Sequence, residues 1–332
     1  MGGTGIVAIL RDAALRAAPQ DEVVKMHKRM LGTSGIEVSV VGVGCNNFGR
    51  RIHDVADARA VVDRAIDLGI TLFDTADAYG DGTSESFLGE TIGKRRHQVV
   101  IATKFGWGSP SGASRRTISR TVEASLKRLR TDYIDLYQVH YPDPNSPIEE
   151  TLRALHELVR DGKVRAIGCS NFSTTQVSAA LDTSTRLGTA AFVTCQDEYS
   201  LLVRKVERDL VPMMRKRGLT LLPYAPLAGG FLSGKYLRGK PLPKDARLAY
   251  SSHHATDVIN ERNWTLVDQL REFAARSGRS MLDAAFAWLL ARPVTASVIA
   301  GAMTPEQVEQ NVQAGEMKLS TEDIAELDRI TR

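Results

Sequence analysis

Four side chains of this 332-residue sequence, Asp74, Tyr79, Lys104 and His140, have the types and spacing to move a proton onto a carbonyl oxygen. Asp74 ends the apolar run Thr71, Leu72, Phe73, and a carboxylate at the end of a buried strand needs a cationic or hydrogen-bonding partner. Lys104 ends a second apolar run, VVIATK, and His140 ends a third, YIDLYQVH. Tyr79 lies in the loop just after Asp74. A phenol is a weak acid at neutral pH, and an ammonium beside it favours the ionised form. Lys104 can supply that ammonium, Asp74 can keep it charged and oriented, and His140 can hydrogen-bond and aim the carbonyl. None of the four donates hydride, so a reduction here requires a cofactor. Taken singly, each has a plainer reading: a rim salt bridge for Asp74 and Lys104, a capped loop for Tyr79, a satisfied buried histidine for His140. Their arrival in step at successive strand ends favours chemistry.

The elements that must position them repeat. From Val40 onward strand and helix alternate with a period of roughly 30 residues, which implies parallel strands joined by crossover helices. Strands are predicted near 40–44, 71–73, 99–103, 134–139, 164–168, 193–196, 219–222 and 297–299. Eight strands can close a barrel, and such a barrel carries its active site at the C-terminal ends of the strands. Amphipathic spacing, as in Val61, Ala65, Ile66 and Leu68 or Leu152, Leu155, Leu158 and Val159, marks helical core positions without function. An open doubly wound sheet is disfavoured, because GVGCNNFG at 42–49 is not a Gly-rich dinucleotide fingerprint opening a helix. Ahead of the repeat, KRMLGTSGIEVSVVG reads as two short strands about a Gly-Thr-Ser-Gly turn.

FDTADAYG, the TKFG after the next strand, LYQVHYPD, GCSNF at 168–172, PYAPLAGGFLSGKY at 223–236 and GAMTPEQVEQN at 301–311 together resemble the aldo-keto reductase family, in the family's order. The resemblance covers about residues 28–330. It implies an α/β fold of the (β/α)8 TIM-barrel type whose floor is capped by the N-terminal β-hairpin, with residues 1–27 outside the pattern as an extension, disordered or absent from the native start. It also implies an NAD(P)H-dependent oxidoreductase that reduces aldehydes or ketones, with Asp74, Tyr79, Lys104 and His140 as its tetrad and Tyr79 as the acid. Potassium-channel β subunits share the resemblance, so a nucleotide-binding regulatory module is the alternative.

Further positions follow from the same likeness. Ser170, Asn171 and Gln196 are expected to hold a nicotinamide carboxamide and Tyr224 to stack on its ring, near Gly44, Cys45, Asn46 and Asp74. Pro226, Leu227, Gly229 and Leu232 form a loop whose glycines admit a pyrophosphate, with Lys235 supplying charge. Thr304 as N-cap, Pro305 and Gln307 open a helix whose N-terminus suits an adenosine phosphate, and Gly301, Met303, Gln310 and Asn311 complete that side. Met303, Gln307 and Gln310 depart from the family pattern, which often has a basic residue at the first or second of these and usually Glu at the third. The expectation of NADPH, with NADH as the alternative, therefore rests on Lys235 and Arg247. Asn47, Tyr79, Trp107, His140 and Tyr141 are the substrate-pocket candidates, and Asn46, where many relatives carry an aromatic, favours a polar, sugar-derived carbonyl.

Composition excludes other classes. The 43 basic and 39 acidic residues nearly balance, and the basic ones are not interleaved with aromatics, so nucleic-acid binding is unsupported. Three cysteines without a CxxC fit a reducing compartment. No apolar run reaches membrane-spanning length and no signal-peptide core is present, which points to a cytoplasmic protein acting on a small molecule. The histidines, His253 and His254 included, show no HxH or HExxH pattern, so no metal is expected.

Overall fold

The computed structural model describes residues 26–108, 111–244, 246–250 and 256–332; most of the N-terminal extension, His253 and His254 lie outside them. A short antiparallel hairpin, β1 (Lys28–Met30) and β2 (Glu37–Ser39), precedes eight parallel strands. These are β3 (Val41–Gly44), β4 (Leu72–Asp74), β5 (Val100–Phe105), β6 (Ile134–Val139), β7 (Val164–Ser170), β8 (Phe192–Glu198), β9 (Thr220–Tyr224) and β10 (Val298–Ala300). From β3 to β9 each strand pairs with the next in sequence, and β10 returns to pair with β3. A bridge between Leu221 and Thr295, with Leu221 N–H on the Val294 carbonyl at 2.7 Å, joins the remaining edges. The eight expected strands are all present, and the (β/α)8 barrel follows.

Inside the barrel, period-2 alternation separates floor from site. Leu72, Val100, Ala102, Leu136, Ala166 and Leu222 pack together with Leu31, Ile36 and Val38 of the hairpin. Because successive inward side chains lie two residues apart on a strand, the next steps above Leu72, Ala102 and Leu222 are Asp74, Lys104 and Tyr224; above Leu136 come Gln138 and then His140. The same alternation that buries an apolar floor thus lifts a polar layer to the C-terminal ends. The hairpin is tied on from outside the cluster: Arg29 donates to the carbonyls of Thr295 and Leu290, both at 2.7 Å, and Gly32 N–H donates to Thr220 Oγ1 at 2.9 Å. Packing begins ahead of it, since Met26 is buried and the His27 carbonyl accepts from Val40 N–H.

The crossover helices include α1 (Val55–Asp67), α2 (Thr83–Ile92), α3 (Arg115–Leu129), α4 (Ile148–Arg160), α5 (Thr174–Leu187) and α6 (Leu210–Arg217). Then come α7 (Glu261–Arg276), α8 (Met281–Leu290), α9 (Pro305–Glu316) and α10 (Thr321–Ile330). Ser114 caps α3 through Thr117 N–H, and Ser173 with Gln176 forms a reciprocal capping box on α5. No described helix is long and apolar enough to cross a membrane.

Helices α2 and α3 approach so closely that one glycine is required. A Cβ on Gly89 would lie 2.5 Å from the Leu129 carbonyl carbon and 2.6 Å from the Arg128 oxygen, backbone atoms that cannot rotate away. Gly89→Ala is therefore expected to destabilise the fold by about 1–3 kcal/mol, despite alanine's better helix propensity. Urea unfolding measures this, and an unchanged midpoint would contradict the contact.

Candidate active site

Lys104 is fully buried, and its ammonium has three partners for its three protons. It donates to Asp74 Oδ1 at 2.6 Å, to the Thr75 carbonyl at 2.9 Å and to the Tyr79 hydroxyl oxygen at 3.3 Å. Burial alone would pull its pKa down; Asp74 and then Tyr79 together outweigh that, and the net direction is up. The other Asp74 oxygen accepts from Gln196 Nε2 at 2.8 Å. Both carboxylate oxygens are thereby engaged, which orients the group.

The His140 imidazole lies edge-on to Tyr79 with ring centroids 5.8 Å apart. Trp107 meets it edge-on at 5.1 Å, and Tyr141 stacks against it at 5.3 Å. Burial, and secondarily the Lys104 charge, push its pKa down to about 3. It is neutral near pH 7 and has one N–H to give. Trp107 and Tyr141 are the exposed large aromatics beside it, at 46% and 42% exposure, so they wall an accessible mouth. The structure thus brings Asp74, Tyr79, Lys104 and His140 together with two of the pocket candidates.

The positions expected to hold a carboxamide form a connected set. Asn171, at a left-handed φ of 62° that asparagine tolerates, donates to the His140 carbonyl and to Ser170 Oγ, both at 3.0 Å. Its Oδ1 accepts from the Tyr224 hydroxyl at 2.8 Å, while Ser170 donates to the Gln196 carbonyl at 2.8 Å. Part of their bonding capacity is therefore used within the protein, because neighbouring strand ends stand only about 4.8 Å apart. The role of Gln196 as a partner of Asp74 was not foreseen, nor was the Thr75 carbonyl's bond to Lys104.

Other expected positions divide. Cys45 is fully buried, its thiol against the Val43 carbonyl and its own carbonyl accepting from Ser84, so its side chain faces the core. Asn47 is also buried, with its Nδ2 only 3.2 Å from where a Cβ on Gly301 would sit, so it points toward Gly301. Pro226, Leu232 and Asn311 are buried packing residues, whereas Gly44, Asn46, Leu227, Gly229 and Met303 are half-buried. Gly301, Lys235, Gln307 and Gln310 are exposed. The Gln307 side chain turns back to accept from Met303 N–H at 2.8 Å, while its backbone N–H donates to Thr304 Oγ1 at 3.4 Å. Thr304 caps α9 as expected.

Arg247 sits in a single helical turn, Arg247–Tyr250. Desolvation lowers its pKa, Tyr79 opposes this, and Arg50 and Arg51 lower it further. Desolvation and then Arg51 also lower that of Lys235. Tyr236 ties these loops together, its hydroxyl donating to the Gly229 carbonyl at 3.2 Å and accepting from Leu248 N–H at 3.3 Å. Gly229 lies at a φ of +69°, which favours glycine, and the space beside its Cα is filled by the Leu248 side chain, 2.6 Å from where a Cβ would sit. No cluster of metal-ligating side chains occurs among the described residues.

This geometry can be set beside known proteins. The sequence model of the Aldo/keto reductase family matches residues 40–332. The chain belongs to the aldo/keto reductase family. The family's oxidoreductase chemistry, carbonyl reduction with a nicotinamide cofactor, is thereby the chemistry of this member's class. It is 35% identical over 305 residues to a probable voltage-gated potassium channel subunit beta of Arabidopsis thaliana, covering 87% of this chain and 91% of that protein. It is 33% identical over 323 residues to the L-glyceraldehyde 3-phosphate reductase of Escherichia coli K12, covering 92% of both. Among solved structures it is similar to the holo form of the aldo-keto reductase AKR11C1 from Bacillus halodurans, with a TM-score of 0.77 and 32% identity over 92% of this chain and 97% of that one.

Asp77, two residues before Tyr79, was not among the expected site residues. Its N–H donates to the Lys104 carbonyl at 3.0 Å, and its Oδ1 is buried without a partner among the described residues. Burial, then repulsion from Glu85, raises its pKa to about 7, against the Ala78 N–H and the charges of Arg128 and Lys104. The folded state therefore holds a proton that the unfolded chain releases near pH 4, and stability falls as pH rises from about 4 to 7. Asp197 on β8, raised to about 7 chiefly by burial, acts in the same direction. Asp77→Asn is expected to flatten this slope without abolishing it. Denaturant unfolding at pH 5 and pH 8 tests it: an unchanged difference between the two pH values would refute the assignment to Asp77.

Proposed function

We propose that this chain reduces an aldehyde or ketone at the barrel mouth, using NADPH and with Tyr79 as the general acid. The carrying observation is the Lys104 ammonium with Asp74, the Thr75 carbonyl and Tyr79 as its three partners. Since the phenol oxygen accepts from Lys104, the phenol's own hydrogen is directed elsewhere, and the open direction is the mouth. His140, neutral, gives its single N–H to the same carbonyl oxygen and fixes it beside Tyr79. Trp107 and Tyr141 exclude water from one side of the substrate. The bound cofactor supplies the hydride.

Several features fit a dinucleotide. Ser170, Asn171 and Gln196 offer hydrogen-bonding groups next to Asp74, and Tyr224 offers a ring beside them. The α9 N-terminus offers the Glu306 N–H and the positive end of the helix dipole to an anion. Lys235 and Arg247 supply the positive charge that favours NADPH over NADH. A polar, sugar-derived carbonyl suits the half-buried Asn46. The test follows cofactor oxidation with sugar aldehydes and aromatic aldehydes. NADPH is expected to exceed NADH in kcat/KM by at least about tenfold, a margin that Arg247→Ala narrows. Equal efficiencies with the two cofactors would refute the NADPH preference, and a strong aromatic preference the polar pocket. The similarity to potassium channel β subunits favours one other reading, a cofactor-binding regulatory module, for which tight NADPH binding without turnover on any carbonyl would speak.

A further inference from the structure

Beside the mouth, and separate from the Tyr79–His140 site, lies a cavity of about 360 Å³ between the loop after β4, the residues after β5 and helix α3. Trp107 is common to both: its ring meets His140 at 5.1 Å and also lines this cavity. The two walls carry opposite charges. On the loop wall stand Asp77 and, more exposed, Asp81; on the helix wall stand Arg120 and Arg128, with Ala124 one turn from each. Ala78, Ala124 and Trp107 form an apolar middle.

These charges are not equally free. Arg128 is held by the buried Glu85, at 2.7 Å from both its Nε and its terminal nitrogen. Arg120 has no ion-pair partner among the described residues, and Asp77 Oδ1 is buried with no hydrogen-bond partner among them. A buried carboxylate oxygen of this kind requires a donor. A purely anionic ligand would satisfy Arg120 but be repelled by Asp77 and Asp81, and a purely cationic one would meet Arg120 without a counter-charge. A molecule bearing both charges answers both walls.

We propose that this cavity is a binding site for a small zwitterion of the amino-acid class, its ammonium on Asp77 and against the Trp107 face, its carboxylate on Arg120, its apolar body over Ala124. An ammonium near an indole face gains cation–π attraction in addition to the ion pair. The groups around Asp77 set its pH dependence: Glu85 from α2 opposes ionisation, Arg128 from α3 and Lys104 from β5 favour it, and Asp81 and Arg120 face the same cavity. Binding therefore tightens between pH 6 and pH 8 as Asp77 ionises.

The test is calorimetric titration of the full chain with leucine and with its two halves, 3-methylbutylamine and 4-methylpentanoate, alongside Trp107 fluorescence, since Trp264 and Trp288 are buried. Leucine is expected to bind at least about tenfold more tightly than either half. Asp77→Asn should weaken leucine and the amine but not the carboxylate, and Arg120→Ala should weaken leucine and the carboxylate but not the amine. Arg120 is exposed, so its variant keeps the test valid if Asp77→Asn fails to fold. Either half binding as tightly as leucine, leucine binding insensitive to both substitutions, or no heat and no fluorescence change up to about 10 mM ligand would overturn the proposal.

Discussion

Tyr79→Phe is expected to lower kcat for carbonyl reduction by about 10²–10⁴-fold while leaving cofactor affinity within a few-fold of the parent. The reasoning is geometric. The phenol oxygen sits 3.3 Å from Lys104 Nζ, in the T-shaped arrangement with His140, at the one point where a proton donor and the aromatic mouth coincide. Phenylalanine keeps the ring contact and removes only the transferable proton. Fold and cofactor binding should therefore survive, and the loss should fall on kcat. Stopped-flow measurement of NADPH oxidation, with fluorescence titration of NADPH in parallel, separates the two effects. A variant as active as the parent would remove Tyr79 from the reaction. Because His140 titrates near 3, the pH profile between 5 and 8 should carry no His140 limb.

The second large effect concerns the ion pair beneath it. Lys104→Met leaves Asp74 buried with Gln196 as its remaining side-chain partner, and loss of one member of such a pair costs about 3–5 kcal/mol. The same change deprives Tyr79 of its donor, so carbonyl reduction should fall at least as far as in Tyr79→Phe. Asp74→Asn with Lys104→Met removes both charges, and the double variant should be more stable than Lys104→Met alone. Activity should not return with that stability, because no ammonium faces the phenol. A double-mutant cycle in urea, read beside kcat, measures this. Additive stability changes would mean that the two charges are not coupled in the folded state.

Much of this site was legible because its positions obey local rules. Asp74, Lys104 and His140 each follow an apolar run, and alternation along a strand fixes which face a residue takes once one neighbour is known to be core. The repeat of strand and helix then predicts eight parallel strands, and parallel strands deliver their C-terminal ends to one side. Cys45 illustrates the limit. The register partner of Asp74 is Gly44, so Cys45 lies one step further on, at the start of a one-turn 3-10 helix, and its side chain packs in the outer core. Asn47 is turned toward Gly301 by the same turn.

By itself the sequence determined the barrel, its family and the four groups that meet at its mouth, since these depend on periodicity, on strand ends and on short motifs. Tertiary structure alone decided which polar groups satisfy one another. The bond from Gln196 to Asp74 joins residues 122 apart, and it exists because barrel closure sets β4 and β8 facing across the interior. Likewise Asp77, Trp107 and Arg120 belong to three separate segments, and no local pattern marks them as walls of one cavity. Hydrogen-bond partners and cavity walls are set by distances across the fold, which chain spacing does not encode.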